Sequence, residues 1–264
     1  MLLALDIGNS RISVGVFSLE DNALCHAFHL AADKAKSADE YSAQICSILA
    51  LRGIQKDRLR AAILSSVVPS LTHTLKKVAK LLTGNEPLIV GAGIKTGFPI
   101  RIDTPSELGS DLVANTAGVL ADMGNKRIAA IVVDVGTATT ISAINASHEY
   151  VGNCIASGIG LSLETLHSQT ALLPSVTLSA PKCIIGKNSF DSMRSGILLG
   201  NALMIDAFID KFAGEMRLGE GLYDVYITGG FAELLLPSLT HRVIYEPHLT
   251  LIGLYHLYQN NTDR

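Results

Sequence analysis

Two short segments, Asp6-Ile7-Gly8-Asn9-Ser10-Arg11 and Asp134-Val135-Gly136-Thr137-Ala138-Thr139-Thr140, share one chemical plan. Each begins where an apolar run ends, at Leu5 and at Ile131-Val132-Val133. Each then offers aspartate, any residue, glycine and a set of hydroxyl or amide side chains. Alternating apolar stretches resume at Ile12-Ser13-Val14-Gly15-Val16-Phe17 and at Ile141-Ser142-Ala143-Ile144, so both copies read as strand, tight turn, strand. An aspartate at the end of a buried strand is costly unless it meets a metal, a charge or a hydrogen-bond donor. A glycine and a small polar residue after it let backbone N–H groups approach phosphate oxygens closely. Taken alone, one copy is an ordinary Asp-Gly hairpin turn. Two copies about half a chain length apart mark a doubled domain, a repeat too long for a solenoid, whose turns could grip a nucleotide's phosphates and Mg²⁺ from two sides.

Two further segments carry polar chemistry. Thr228-Gly229-Gly230 follows the apolar Val225-Tyr226-Ile227 and reads either as a turn against a nucleotide or as a plain strand-to-helix turn. Thr104-Pro105-Ser106-Glu107-Leu108-Gly109-Ser110-Asp111-Leu112 leads into a helical stretch from Val113. Asp111 falls in the first turn of that helix, where the dipole favours a negative charge. It is either good helix design or a carboxylate able to take a proton from a substrate hydroxyl. The P-loop pattern is absent, which disfavours a Walker-type kinase.

The elements that must position these residues alternate. Asp39 to Leu51 has helical spacing, Arg60 to Val68 reads as a buried strand stopping at Pro69, and Ser70 to Leu82 is a helix with Lys76, Lys77 and Lys80 on a solvated face. Leu88-Ile89-Val90 is a short strand. In the second half Leu161 to Leu173 and Ser192 to Phe212 are helical in period, Val225 to Ile227 and Val243 to Tyr245 are strands, and Leu249 to Tyr258 is a closing helix. This alternation predicts α/β layers in two halves, 1–115 and 116–264, meeting at a cleft. The 264 residues are 48% hydrophobic and 17% charged, enough to bury a core in each half. A net charge of −3 without a Lys/Arg cluster argues against nucleic acid as a partner. Cys25, Cys46, Cys154 and Cys183 form no CxxC pair, so buried thiols in a reducing compartment are expected rather than disulfides or zinc. No apolar run is long enough to span a bilayer and no signal-peptide pattern is present, which predicts a soluble, cytoplasmic protein without membrane partners.

The ordered blocks resemble the type III pantothenate kinases, members of the acetate/sugar kinase, Hsp70 and actin superfamily. Beyond the segments above, the resemblance runs through Gly152 to Gly158, Ser162, Thr170-Ala171-Leu172-Leu173-Pro174, Ser189, Ser192 to Gly200 and Leu249 to Leu254, nearly the whole chain. It implies two tandem ribonuclease-H-like (actin-like ATPase) domains with an interdomain cleft, assembled as a homodimer. The activity it implies is ATP-dependent phosphorylation of pantothenate to 4'-phosphopantothenate, the first step of coenzyme A biosynthesis, with Mg²⁺ and a monovalent cation, K⁺ or NH₄⁺. On the same resemblance Asp6, Ile7, Gly8, Asn9, Ser10, Arg11, Ile12 and Ser13 correspond to the phosphate site, with Asp6 toward Mg²⁺ and Thr137 a second ATP contact. Asp134 corresponds to the K⁺-binding carboxylate and Asp111 to the catalytic proton acceptor. The substrate pocket maps to Ile102, Gly109, Ser110, Asp111, Leu112 and Ser189.

Departures concentrate in that pocket. Leu112 stands where the family has an arginine, Ile102 where it has a tyrosine, and Ser189 where it has a threonine. Losing a charged hydrogen bond to a buried anion costs about 1.5–3 kcal/mol. Two alternatives therefore stay open: a kinase of a different hydroxylated metabolite, and a catalytically idle nucleotide-binding relative with a regulatory role.

Overall fold

The computed structural model describes residues 1–181, 183–219 and 221–262, which form two compact units. The first takes Met1–Phe98, Asp103–Gly124 and the described chain from His248 onward; the second takes Pro99–Ile102 and Asn125–Pro247.

In the first unit, β1 (Leu2–Ile7), β2 (Arg11–Ser18), β3 (Ala23–Ala31), β4 (Ala61–Ser66) and β5 (Leu88–Ile89) lie in the order β3-β2-β1-β4-β5. The first three strands run antiparallel as a meander, and β4 and β5 join parallel to β1. Side chains alternate along a strand, so Leu3, Leu5 and Ile7 share one face. That face is covered by α1 (Ala38–Leu51) and α2 (Pro69–Thr83), through Tyr41, Ile45, Leu71, Leu75 and Val78. The start of α1 is set by a capping box: Glu40 N–H donates to Ser37 Oγ and Ser37 N–H donates to the Glu40 carboxylate. Pro69 at N1 opens α2 and the left-handed Gly84 (φ 75°) closes it.

The opposite face, on which Leu2, Ala4 and Asp6 point, receives α3 (Ser110–Met123) together with the element that closes the chain. The two helices cross at glycines: a Cβ on Gly118 would lie 2.6 Å from the Leu249 carbonyl, and one on Gly253 would collide with the Ala114 carbonyl.

In the second unit, β6 (Ala129–Val135), β7 (Ala138–Ile144), β8 (Tyr150–Ser157), β9 (Tyr223–Thr228) and β10 (Ile244–Tyr245) are ordered β10-β9-β6-β7-β8. β6, β7 and β8 form the antiparallel meander, and β9 and β10 are parallel to β6 and to each other. Strand for strand, this is the topology of the first sheet. Ile131, Val133 and Val135 bury against Ile197, Ile205 and Ile209. The helices here are α4 (Ile159–Ser168), α5 (Ser189–Arg194), α6 (Gly200–Glu215) and α7 (Ala232–Leu235), with a π-helical turn at Ser195–Leu199 joining α5 to α6. The chain then returns to the first unit as α8 (Leu249–Thr262). There Phe17 stacks on Tyr255 with ring centroids 4.7 Å apart, and Thr250 Oγ1 donates to Asn115 Oδ1 at 2.7 Å.

The expected α/β duplication is present, with three differences from the sequence reading. A cut after residue 115 would fall inside α3, and α8 packs with the opening strands rather than with the second unit, because its apolar face meets the α3 crossing and the Phe17 side of the sheet. The edge strands β3 and β8 were not expected. The single helix from Ser192 to Phe212 is two helices with a π turn between them, and α5 begins earlier, at Ser189.

Candidate active site

In the first unit the polar residues gather where β1 and β4 end. Register pairs Asp6 with Ser13 on β2 and with Ser65 on β4. Ser65 Oγ donates to Asp6 Oδ1 at 2.5 Å, so the carboxylate at the strand end has its donor. The chain then reverses through Gly8-Asn9-Ser10, closed by the Gly8 N–H donating to the Arg11 carbonyl at 2.9 Å. Gly8 does not adopt a left-handed conformation; its demand is space, since a Cβ would lie 3.1 Å from the Arg11 carbonyl oxygen. Asn9, Ser10 and Arg11 are exposed at the tip, as a phosphate-facing turn requires. The side chains of Ile7 and Ile12 are fully buried in the apolar core, so these two residues of the turn offer a ligand their backbone.

The same edge holds the start of α3. Ser66 N–H donates to Ser110 Oγ at 2.9 Å, and Ser110 Oγ donates back to the Ser66 carbonyl at 3.1 Å, tying the end of β4 to the first residue of the helix. Gly109 is the N-cap, and a Cβ there would lie 2.5 Å from Asp111 Oδ1. Leu112 N–H donates to the same oxygen at 2.9 Å. Burial pushes the Asp111 carboxyl above the usual carboxylate range, and the backbone N–H groups of Leu112 and Asp111 pull against that rise. A carboxylate raised toward neutrality is a better proton acceptor than an exposed one. Leu112 itself is 8% exposed.

In the second unit Asp134 holds the position of Asp6. It pairs with Thr140 on β7 and Thr228 on β9, as Asp6 pairs with Ser13 and Ser65. Its reversal is shorter, with Gly136 N–H donating to the Ala138 carbonyl at 3.0 Å. Thr228-Gly229-Gly230 lies against this turn. Gly229 has φ 100°, and a Cβ there would fall 2.5 Å from the Val135 nitrogen and 2.6 Å from Asp134 Oδ1. Gly158 closes on the other side, where a side chain would collide with the Thr137 carbonyl and sit 2.5 Å from the Gly136 carbonyl. Thr137 is exposed at the tip of this turn, with its backbone against Gly158 at the N-cap of α4. Ile102 belongs to this unit, in a segment whose Arg101 N–H donates to the Tyr150 carbonyl. Ser189 opens α5 behind its Asn188 cap and lines a hollow of about 710 Å³ with Lys187, Ser192 and Met193.

Ser65 and Ser66 were missed by sequence reasoning. Ser65 and Ser66 partner Asp6 and Ser110, and the duplicated pattern could have found Ser65, because it stands to Asp6 as Thr228 stands to Asp134. Gly229, in the turn already singled out, and Gly158, at the end of a block of the resemblance, both press on the second turn. Among the described residues no group of three or more His, Cys, Asp or Glu is placed to hold a metal. A lone strand-end carboxylate with a hydroxyl beside it nevertheless suits Mg²⁺, which is commonly held by one or two carboxylates plus phosphate oxygens of the substrate. Among the described residues no helix is long and apolar enough to cross a membrane.

Known proteins resemble this chain over nearly its whole length. The family model described as type III pantothenate kinase matches residues 2–211. A type III pantothenate kinase of Moorella thermoacetica is 38% identical over 262 residues, covering 99% of this chain and all of that protein. One from Geobacter sulfurreducens is 38% identical over 263 residues, covering both in full. Among solved structures, the ethanolamine utilization protein EutJ of Carboxydothermus hydrogenoformans matches with TM-score 0.54 at 17% identity, over 97% of this chain and 89% of that one. A reductive activator for a corrinoid, iron-sulfur protein matches with TM-score 0.57 at 13% identity, over 98% and 60%. At such identities the structural likeness speaks for the fold alone.

Proposed function

The chain belongs to the type III pantothenate kinase family, and we propose that it phosphorylates pantothenate to 4'-phosphopantothenate with ATP, the entry step to coenzyme A, through the two polar edges described above. The observation that carries the reading is the shared register: an aspartate at the same point of two sheets with the same strand order, each followed by a tight turn. The exposed turn of Asn9, Ser10 and Arg11, with Gly8, cradles ATP phosphates, and Thr137 supplies a second contact from the other hairpin. Asp6, oriented by Ser65, holds Mg²⁺; when bound, the ion neutralises charge developing on the transferred group.

The acceptor's primary hydroxyl oxygen attacks the γ-phosphorus, the bond from that phosphorus to the β–γ bridging oxygen breaks, and ADP leaves with the electron pair. Asp111 orients the hydroxyl and receives its proton. Because the transition state is loose, positioning and charge neutralisation carry most of the acceleration. Asp134 binds the monovalent cation, and Gly109, Ser110 and Ser189 contact the acceptor.

Large apolar side chains exposed on the second unit support self-association as a homodimer: Leu172 is 92% exposed, Ile184 78% and Ile185 80%. The four thiols are free, though Cys25 and Cys183 are exposed and Cys46 and Cys154 half-buried rather than buried as expected, and unpaired thiols fit a reducing, cytoplasmic setting. The test is direct. Purified protein with ATP, Mg²⁺ and pantothenate should give ADP and a product heavier by one phosphoryl group, and turnover should need K⁺ or NH₄⁺. ATP bound without product from pantothenate would overturn the proposal.

A further inference from the structure

The row of side chains that crosses the first sheet at Asp6 does not stop at Ser13. Register runs from Ser65 on β4 through Asp6 on β1 and Ser13 on β2 to His29 on β3, and directly opposed residues of paired strands share a face. In the second sheet the same row reads Thr228, Asp134, Thr140 and Ile155. The first three positions match in kind: hydroxyl, aspartate, hydroxyl. The fourth does not. The second unit puts an exposed isoleucine on its edge strand, and the first puts an exposed histidine there, a group able to carry positive charge. His29 belongs to the unit with the three-residue exposed turn and stands level with it. Its strand ends at Ala31, and the next N–H, of Ala32, donates to the Ser10 carbonyl at 3.2 Å. With strands about 4.8 Å apart, His29 lies one strand from Ser13 and roughly 10 Å across the sheet from Asp6.

The closing helix brings a second histidine to the same place. A Cβ on Gly15 would lie 3.2 Å from Leu251 Cδ1, and Phe17 stacks on Tyr255. Two residues of strand and four of helix advance about the same distance, roughly 6–7 Å. So α8 runs along β2, and its start, where the His248 carbonyl accepts the Ile252 N–H at 2.9 Å, lies at the Ser13 end. We infer that His29 is a further phosphate-binding residue: protonated, it donates to an oxygen of the nucleotide held by the turn of Asn9, Ser10 and Arg11. The inference rests on the proposed ATP site and extends it across β2 to the edge of the sheet. The charged and titratable groups acting on His29 are Arg11 from β2 and His248 from the start of α8, with Asp6 two strands away. Desolvation first, and then those two neighbours, hold its imidazole below the ordinary histidine range in the free protein. A phosphate beside it reverses that balance, because an anion favours the charged ring. Nucleotide binding therefore takes up a proton. The gain in affinity is complete below the free protein's pKa and fades as pH rises through the higher pKa of the bound state.

The experiment titrates a non-hydrolysable ATP analogue with Mg²⁺ into the purified protein by calorimetry, at about pH 6 and about pH 8. Buffers of different ionisation enthalpy read the proton uptake directly. The wild type should bind about three- to tenfold more tightly at the lower pH, the range for a partly exposed cation with an anion. His29→Gln should lose both that gain and the proton uptake, and His29→Arg should bind tightly at both pH values. In turnover, His29→Gln should raise KM for ATP at the lower pH and leave KM for pantothenate unchanged. A wild-type affinity equal at both pH values, an unaltered pH response in His29→Gln, or the same loss in His26→Gln, opposite Val16 on the same strand, would overturn the inference and leave the reaction standing. The full pH response without turnover of pantothenate would overturn the reaction alone. A wild type that does not bind the analogue would overturn both.

Discussion

The β1–β2 and β6–β7 hairpins put an aspartate at equivalent points of two sheets, yet they hold it by different means. Asp6 accepts a hydrogen bond from the Ser65 hydroxyl, and its turn ends in three exposed residues. Asp134 has a shorter turn and is pressed by Gly229, whose absent side chain would stand 2.6 Å from its carboxylate oxygen. The first hairpin has the longer exposed tip, Asn9, Ser10 and Arg11, which suits a large, multiply charged ligand. The second is shorter and exposes Thr137 alone at its tip, which suits a single contact. A duplicated scaffold keeps the geometry of its strands while the residues just past their ends decide what is bound.

The proposed division of labour can be broken most severely outside both hairpins. Asp111→Asn should lower turnover by about 10²–10⁴-fold with the fold intact, measured by ADP release alongside circular dichroism; near-normal turnover would remove Asp111 from the chemistry. Its raised carboxyl pKa has a sign to check. The base acts only when deprotonated, so kcat/KM should rise with pH along a limb lying above the ordinary aspartate range, and Asp111→Asn should erase that limb. Next, Asp6→Asn should cost roughly 10²–10³-fold and raise the Mg²⁺ concentration needed for half-maximal rate. Asp134→Asn should cost less, roughly tenfold, and flatten the response to K⁺ instead. If the two substitutions had equal and interchangeable effects on both ions, the contrast drawn above would be wrong. Gly158→Ala probes the wall of the second hairpin: overpacking against Thr137 should remove about 1–3 kcal/mol of stability, read by chemical denaturation. Smallest of all, Ser65→Ala should remove about 1 kcal/mol, the worth of one hydrogen bond.

The hairpins were legible in sequence because apolar runs, Asp-x-Gly and alternation are local signals repeated twice. The same locality explains what was not legible. β3 (ALCHAFHLA) and β8 (YVGNCIAS) are edge strands, partly exposed and poor in β-branched residues, so their pairing is dictated by neighbours rather than by composition. Ser65 and Ser66 look like the tail of a buried strand until β1 and α3 are placed beside them. Ile7 and Ile12 sit inside the turn motif by position, but strand alternation sends their side chains into the core. The π turn at Ser195–Leu199 inserts into an unbroken apolar periodicity that gives no sign of it.

The return of α8 to the first unit orders events during synthesis. The strands bearing Asp6 emerge first, but the helix that covers their face lies beyond the whole of the second unit, at residues 249–262. At 5–20 residues per second, the roughly 125 residues between α3 and α8 take on the order of 6–25 seconds to translate. Through that interval the older sheet waits with Gly15 and Phe17 uncovered, while the younger one can finish folding. A nascent chain arrested before His248 should therefore resist protease over its second unit and be cut in its first.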